Sequence, residues 1–372
     1  MEELPKIYSE NKIDFNSIKP DTKLTALREG LKNYYETYSI TSNGFYEYFS
    51  KTNLKVTLTK IKGHSFLIKY FSSIIYIHLA FEQFLIEILE TKSKLLSKIS
   101  KNNFDLIKLL TNINTINLDN KQNINFSEAL KRVIELIDNH DELDGNYQLD
   151  TKFHFIKTHY KTLKILSLLR NDIIHEGKTM LNRYIYELFF VNRLLPLIRE
   201  FLNIQEQNDR MPLVERNLYC GKNVIDEIIK KPLLEKYDEI SNYESIVINI
   251  KRINHFKELG RASYSNPLHM FENITDKKQI ENIESSHNKK LRSDAELFVQ
   301  FKQQTMGHYK VYTCPNCGTR TLTTYDFWQN LKNNKTRPET AECLVCKYTV
   351  NYNIGEPMDF GIMKDKIFEP IG

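Results

Sequence analysis

Apolar positions from Phe71 onward fall at Phe71, Ile74, Ile75, Phe81, Leu85, Ile86 and Leu89, with His78 and Glu82 on the same stripe. This spacing of three and four residues predicts a one-faced helix of about seven turns, closing near Ser100. A second helical stretch covers 103–111, and the Asn/Thr-rich run 112–125 breaks it. Helical spacing resumes over Phe126–Ile137 through Leu130, Val133 and Ile134, and 138–150 (DNHDELDGNYQLD) reads as an acidic turn. The next helix is expected from Lys152 to His175, stopped by Gly177, since glycine is a common residue just past a helix end. Thr179 can cap a following helix that runs to Leu202, with a kink at Pro196. Four or five helices joined by short to moderate loops make an antiparallel bundle.

Outside this stretch the pattern is weaker. A short amphipathic helix is expected over 23–38 (Leu24, Leu27, Leu31, Tyr34, Tyr35), and the alternation of Val56, Leu58 and Ile61 suggests a strand or a loop. Segments 223–237 and 276–301 read helical, and Ser245–Ile250 reads as a strand. Over 310–352 the character changes to short Tyr/Thr/Val runs, and 353–372 is loop-like. The expected organisation is mainly α with a small C-terminal β unit: an N-terminal region 1–65, a helical bundle 66–204, a helical linker 205–309, a β unit 310–352 and a tail 353–372.

Composition narrows the class. A chain of 372 residues with 41% apolar and 12% aromatic content can bury a sizeable core and is not disordered. No apolar run is expected to approach the roughly 18 residues of a membrane span. The opening MEELPKIYSENK is too polar for a signal peptide, so a soluble, cytoplasmic chain without a membrane partner is expected. The net charge of +5 does not establish a nucleic-acid partner, although seven Lys/Arg against three acids concentrate in 302–347.

Four of the five cysteines form two Cys-x-x-Cys pairs, Cys314/Cys317 and Cys343/Cys346, separated by 25 residues. Each pair makes a tight turn that aims two thiolates at one point, and two such turns supply a tetrahedral four-sulfur site. The flanks Lys310–Thr313 and Tyr348–Val350 fit strands, so the segment resembles a zinc ribbon, with a rubredoxin-like iron site as the alternative. Four protein ligands leave no open position, which implies a structural zinc rather than a catalytic one. Between the pairs, Trp328 sits near Lys332, Lys335 and Arg337. Such a group either stacks bases and neutralises phosphate, or packs the ribbon while its lysines solvate a loop. Cys220 has no partner in sequence and reads as a small buried residue.

The second constellation is Arg170-Asn171-x-x-x-His175. Asn171 and His175 share a helix face, whereas Arg170 lies about 140° round but is long enough to reach it. The last helical turn favours a cationic imidazolium. This arrangement at a bundle helix end resembles the HEPN superfamily, whose signature is Arg-x(4–6)-His, most often with Asn after the Arg; the resemblance covers about 66–204. It implies a metal-independent endoribonuclease acting as a homodimer with two motifs facing one cleft, typically a toxin or anti-phage defence effector. Such a protein answers to a phage-derived trigger or a neutralising partner. In that chemistry the RNA 2′-OH attacks the adjacent phosphate and leaves a 2′,3′-cyclic phosphate. His175 acts as general base or acid, Arg170 holds the phosphate, and Asn171 orients it or the His. The alternative is a catalytically inactive HEPN/zinc-ribbon protein that binds nucleic acid or serves as an adaptor. His78 and Glu82, four residues apart, either support the site from a neighbouring helix or form a core hydrogen bond. The acidic stretch Asp138–Asp150 does not fit an EF-hand loop and reads as a solvated turn.

Overall fold

A computed structural model describes residues 21–37, 64–98, 123–143, 145, 148–176, 181, 183–204, 214–215, 218–235, 243–266, 289–301, 310–325 and 340–368. The expected element around Val56–Ile61, the helix at 103–111, Gly177, Thr179 and the basic loop with Trp328, Lys332, Lys335 and Arg337 lie outside these residues. The fold is mainly helical, with a small C-terminal antiparallel sheet.

Helix α1 (Thr22–Glu36) starts at Asp21, whose carboxylate accepts the Leu24 N–H at 3.1 Å, a standard N-terminal cap. It buries Leu24, Leu27, Leu31, Tyr34 and Tyr35, the stripe expected from sequence. Helix α2 (His64–Lys92) begins earlier than Phe71 and ends before Ser100, where Ser93 caps a 3₁₀ turn, Lys94–Ser97. Gly30 of α1 allows close contact with α2, since a Cβ there would lie 2.5 Å from Ile77 Cγ1. The expectation that no stretch approaches membrane-spanning character does not hold for α2. By length and composition Phe66–Lys92 qualifies, but 56% of its most apolar window is buried inside the fold, as befits the central helix of a core.

Helix α3 (Phe126–Asp138) is capped by Asn125, which accepts the Glu128 N–H at 3.0 Å. The helix expected from Lys152 to His175 is segmented into a 3₁₀ turn (Thr151–Phe153), α4 (Phe155–Thr158), α5 (Tyr160–Asn171) and a π turn (Asp172–Glu176). The kink expected at Pro196 takes the form of a π turn, Phe190–Leu194, between α6 (Arg183–Phe189) and α7 (Leu195–Leu202). Proline has no N–H to return to the preceding turn, and the wider turn absorbs the mismatch.

Two expectations beyond the bundle are corrected. Helix α8 (Val224–Ile229) is shorter than 223–237, because Arg252 takes over its last carbonyls, donating to Glu227 O, Ile228 O and Lys231 O. Ser245–Ile250 is no strand but part of α9 (Tyr243–Tyr264). This helix is buried on all sides along 252–260, and nearer its start the water-facing side carries the apolar Ile248, so no clean polar face reveals the helical period. Among its buried polar groups, Lys257 and Glu258 are partnered across the fold. Lys257 Nζ lies 2.5 Å from Glu187 Oε1 of α6 and over the Tyr34 ring, and Tyr34 donates to Glu187 at 3.0 Å. A further helix, α10, spans 289–301.

The sheet has strand order β1–β2–β3–β4: β1 (Val311–Tyr312), β2 (Leu322–Tyr325), β3 (Thr340–Cys343) and β4 (Thr349–Asn351), all antiparallel. Leu322 pairs with Cys343, and Ala341 with Val350. The tail expected to be loop-like contains 3₁₀ turns at Tyr352–Ile354 and Pro357–Phe360 and buries Ile362, Ile367 and Phe368.

Glu187→Ala should destabilise the protein by about 3–5 kcal/mol in urea unfolding, since it removes the carboxylate that balances the buried Lys257 ammonium. Replacing both partners with Leu and Met should recover most of that loss. Burial also pushes His255 down to about 3, so it folds neutral. Because the unfolded imidazole binds protons below about 6.5, stability should fall as pH drops from about 6.5 toward 3, measured by thermal melts across that range.

Candidate functional site

Two sites emerge. The first is built on the sheet. One Cys-x-x-Cys turn links β1 to β2 and the other links β3 to β4, and the two turns repeat one backbone design. Gly318 N donates to Cys314 O at 2.9 Å and Lys347 N to Cys343 O at 3.0 Å; Cys314 N and Cys343 N each donate, at 2.8 Å, to Thr319 O and Tyr348 O. The residue after each second cysteine is left-handed, Gly318 at φ 73° and Lys347 at φ 60°. Glycine takes that conformation freely, whereas a lysine there costs about 1–2 kcal/mol. Gly318 is also required sterically, since a Cβ would lie 2.5 Å from the Tyr219 ring.

The outcome is four buried sulfurs, all within 4.8 Å of one another. Cys314 and Cys346 Sγ are 3.5 Å apart, and Cys317 and Cys343 Sγ 3.6 Å. A disulfide needs about 2.05 Å. Sulfurs about 2.3 Å from one tetrahedral ion sit about 3.8 Å apart, so the spacing fits a shared cation. Burial pushes the Cys314 thiol well up, an environment in which thiolates persist only with a cation to balance them. Hydroxyls support the sulfurs: Thr319 Oγ1 lies 3.0 Å from Cys317 Sγ and Thr321 Oγ1 3.2 Å from Cys343 Sγ. The four cysteines together could hold a metal ion.

The sequence did not reveal what braces this centre. Tyr219 N and Cys220 N donate to Asn316 O (3.0 Å) and Pro315 O (2.8 Å), laying a distant segment along the first turn. Cys220, expected to be buried, is half-buried there. From the other side, the buried Glu258 of α9 accepts the Thr349 N–H at 2.7 Å and both donors of Arg261, which also reaches Lys347 O beside the second turn.

The second site lies at the end of α5. Arg170 is half-buried and donates through Nη1 to Asn171 Oδ1 at 3.0 Å, while Asn171 and His175 are exposed. Five residues apart, Arg170 and His175 would diverge by about 140° in α geometry. The π turn, closed over five residues, departs from that geometry at Asp172–Glu176. Among the described residues no hydrogen bond joins His175 to Arg170 or Asn171.

His78 and Glu82 of α2 pack behind the motif. Their 4.0 Å separation is too long for the core hydrogen bond weighed above. His78 instead stacks on the Phe126 ring at 4.3 Å between centroids, and burial together with the neighbouring Arg170 charge brings it down to about 4. Glu82 accepts the Phe126 N–H; burial raises its carboxyl and Arg170 pulls it back down. Arg170 thus faces a neutral imidazole and a carboxylate from the neighbouring helix. In the acidic stretch, Asp138 pairs with Lys157 at 2.5 Å and 140–142 forms an exposed 3₁₀ turn, as expected for a solvated turn.

Purified protein should carry one tightly bound metal ion per chain. The double variant Cys314→Ser, Cys343→Ser should lose it by elemental analysis. Because Glu258 and Arg261 tie the ribbon to α9, metal removal should also lower the melting temperature of the helical signal. No family model matches the chain, and neither a curated protein nor a solved structure matches it.

Proposed function

We propose that the chain is a HEPN-type, metal-independent endoribonuclease with a C-terminal zinc ribbon, acting as a toxin or anti-phage defence effector. The observation that carries this reading is the Arg170–Asn171–His175 set: a guanidinium hydrogen-bonded to an amide, with an exposed imidazole on a π turn. The phosphate of RNA docks on Arg170. A general base, His175 of one copy, takes the 2′-OH proton as O2′ bonds to phosphorus; the P–O5′ bond breaks and the leaving oxygen receives a proton from the second copy's imidazole. The products are a 2′,3′-cyclic phosphate and a 5′-OH, and no co-reactant is consumed.

The exposed side of α5 supports both substrate and assembly. It carries Lys161 and Lys164, which suit a phosphate backbone, beside Ile165 and Leu168, with Ile174 following on the π turn; these are 42%, 55% and 47% exposed. Large apolar groups left in water beside a motif that needs two imidazoles favour a homodimer across this face. The zinc assignment follows from the donor set, because a closed four-thiolate tetrahedron takes Zn²⁺ or iron and leaves no position for a reacting water. The ion therefore cross-links the ribbon. The chemistry of cleavage belongs to α5.

The purified protein should cleave RNA in EDTA, leaving cyclic phosphate ends. Arg170→Ala and His175→Ala should each lower the rate by about 10²–10⁴-fold with unchanged circular dichroism. Leu168→Glu should convert a dimer to a monomer by light scattering and abolish cleavage. Full activity of His175→Ala, or of a strictly monomeric protein, contradicts the assignment.

A further inference from the structure

A cleft of about 720 Å³ opens between the first turn of α1, the middle of α2 and the segment entering α3. That volume lies within the range of small-molecule pockets. Leu79 and Ile86 give it apolar walls, and its polar lining divides into two kinds. Glu82 on α2 supplies the acceptor, its carboxylate. Asn123 and Asn125 supply donors. Each has its side-chain oxygen already engaged, Asn123 Oδ1 by Lys98 Nζ at 2.6 Å and Asn125 Oδ1 by Glu128 N at 3.0 Å. The amide orientation is thereby fixed, and each NH₂ is left to donate. Glu87 at the rim is engaged by Lys23 at 2.7 Å.

The cleft therefore suits a flat ligand with apolar faces that offers neighbouring N–H donors on one edge and acceptors on another. Among the RNA bases only guanine does so. Its N1–H and N2–H₂ stand side by side for a carboxylate, and O6 and N7 accept on the other side. Adenine and cytosine place an acceptor next to their amino group, and uracil has a single N–H flanked by two carbonyls. Glu82 is also the link to the motif, because α2 packs against α5 and the Arg170 charge acts on Glu82 and on His78 one turn away. A base held by Glu82 is thus neighbour to the phosphate that Arg170 receives.

We propose that this cleft seats an unpaired guanine base of the RNA substrate, held by Glu82 with Asn123 and Asn125 opposite, so that cleavage falls beside guanosine in single-stranded RNA. The base must be unpaired to present its Watson–Crick edge. The proposal rests on the ribonuclease reading for its consequence in cleavage, but not for binding.

The test has two arms on the full chain. Calorimetry with the four nucleoside 3′-monophosphates should show guanosine 3′-monophosphate binding about tenfold or more tightly than the others, since hydrogen bonds to a charged group are at stake. Glu82→Gln, nearly isosteric, should erase that preference with unchanged circular dichroism. In the second arm, end-mapping of single-stranded oligonucleotides should place cuts beside guanosine in wild type. Guanosine-selective binding that Glu82→Gln removes, without any RNA cleavage, upholds the cleft and overturns the ribonuclease reading. RNA cleavage without base preference does the reverse. Equal binding of all four nucleotides, or a guanosine preference that survives Glu82→Gln, overturns the proposal.

Discussion

Lys257 and Glu258 are neighbours in the stretch 252–260 of α9, which is buried on all sides, and this constraint organises the molecule. A buried charge must be paired or the fold fails, and successive helical residues point about 100° apart. The two charges therefore have to be met from different directions. Glu187 and Tyr34 meet Lys257 from the bundle side. Arg261 and the Thr349 N–H meet Glu258 from the ribbon side. His255, three residues before Glu258, lies 3.2 Å from Ile354 O and against the Phe360 ring, tying in the C-terminal segment. Helix α9 is thus the keel on which bundle, ribbon and tail are jointly registered.

This has consequences for the sulfur centre. A small sheet has too little apolar surface to hold itself together, and metal ligation typically supplies the difference. Here the ribbon is also clamped from outside, by α9 beside the second Cys-x-x-Cys turn and by Tyr219–Cys220 along the first. A metal that fixes the two turns also fixes where Glu258 finds its backbone partner, so the ion and the buried charges of α9 act on the same contacts.

The motif on α5 follows a different logic. Core positions Leu163 and Leu166 anchor the helix, and Ile165 and Leu168 on its other side face water. The π turn at Asp172–Glu176 departs from regular geometry where a regular helix would separate the guanidinium from the imidazole. Behind it, Glu82 and His78 give Arg170 a part-buried electrostatic setting that a lone exposed arginine lacks. Local irregularity at a polar cluster, supported by a rigid neighbour helix, is how folds commonly set up reactive groups.

The sequence alone determined the elements whose signal is local. The stripes of α1, α2 and α3 follow from burying one face against water. The two Cys-x-x-Cys turns follow because four thiolates at that spacing converge on one point, and the triad was legible as a motif at a helix end. What the sequence did not determine was every feature set by partners far along the chain. Ser245–Ile250 looked like a strand because its β-branched run places an apolar residue, the exposed Ile248, where a helix would show a polar face, and the helix is tied in further along by Glu187 and the backbone of β4. The Lys152–His175 segment looked like one helix because hydrophobic spacing does not register a π turn. The cleft lined by Glu82 exists only because Asn123 and Asn125 are brought against α2, and Tyr219 meets Gly318 across a stretch that no local pattern connects. Periodicity records which side of an element meets water, and it is silent where burial is complete and polar partners replace solvent.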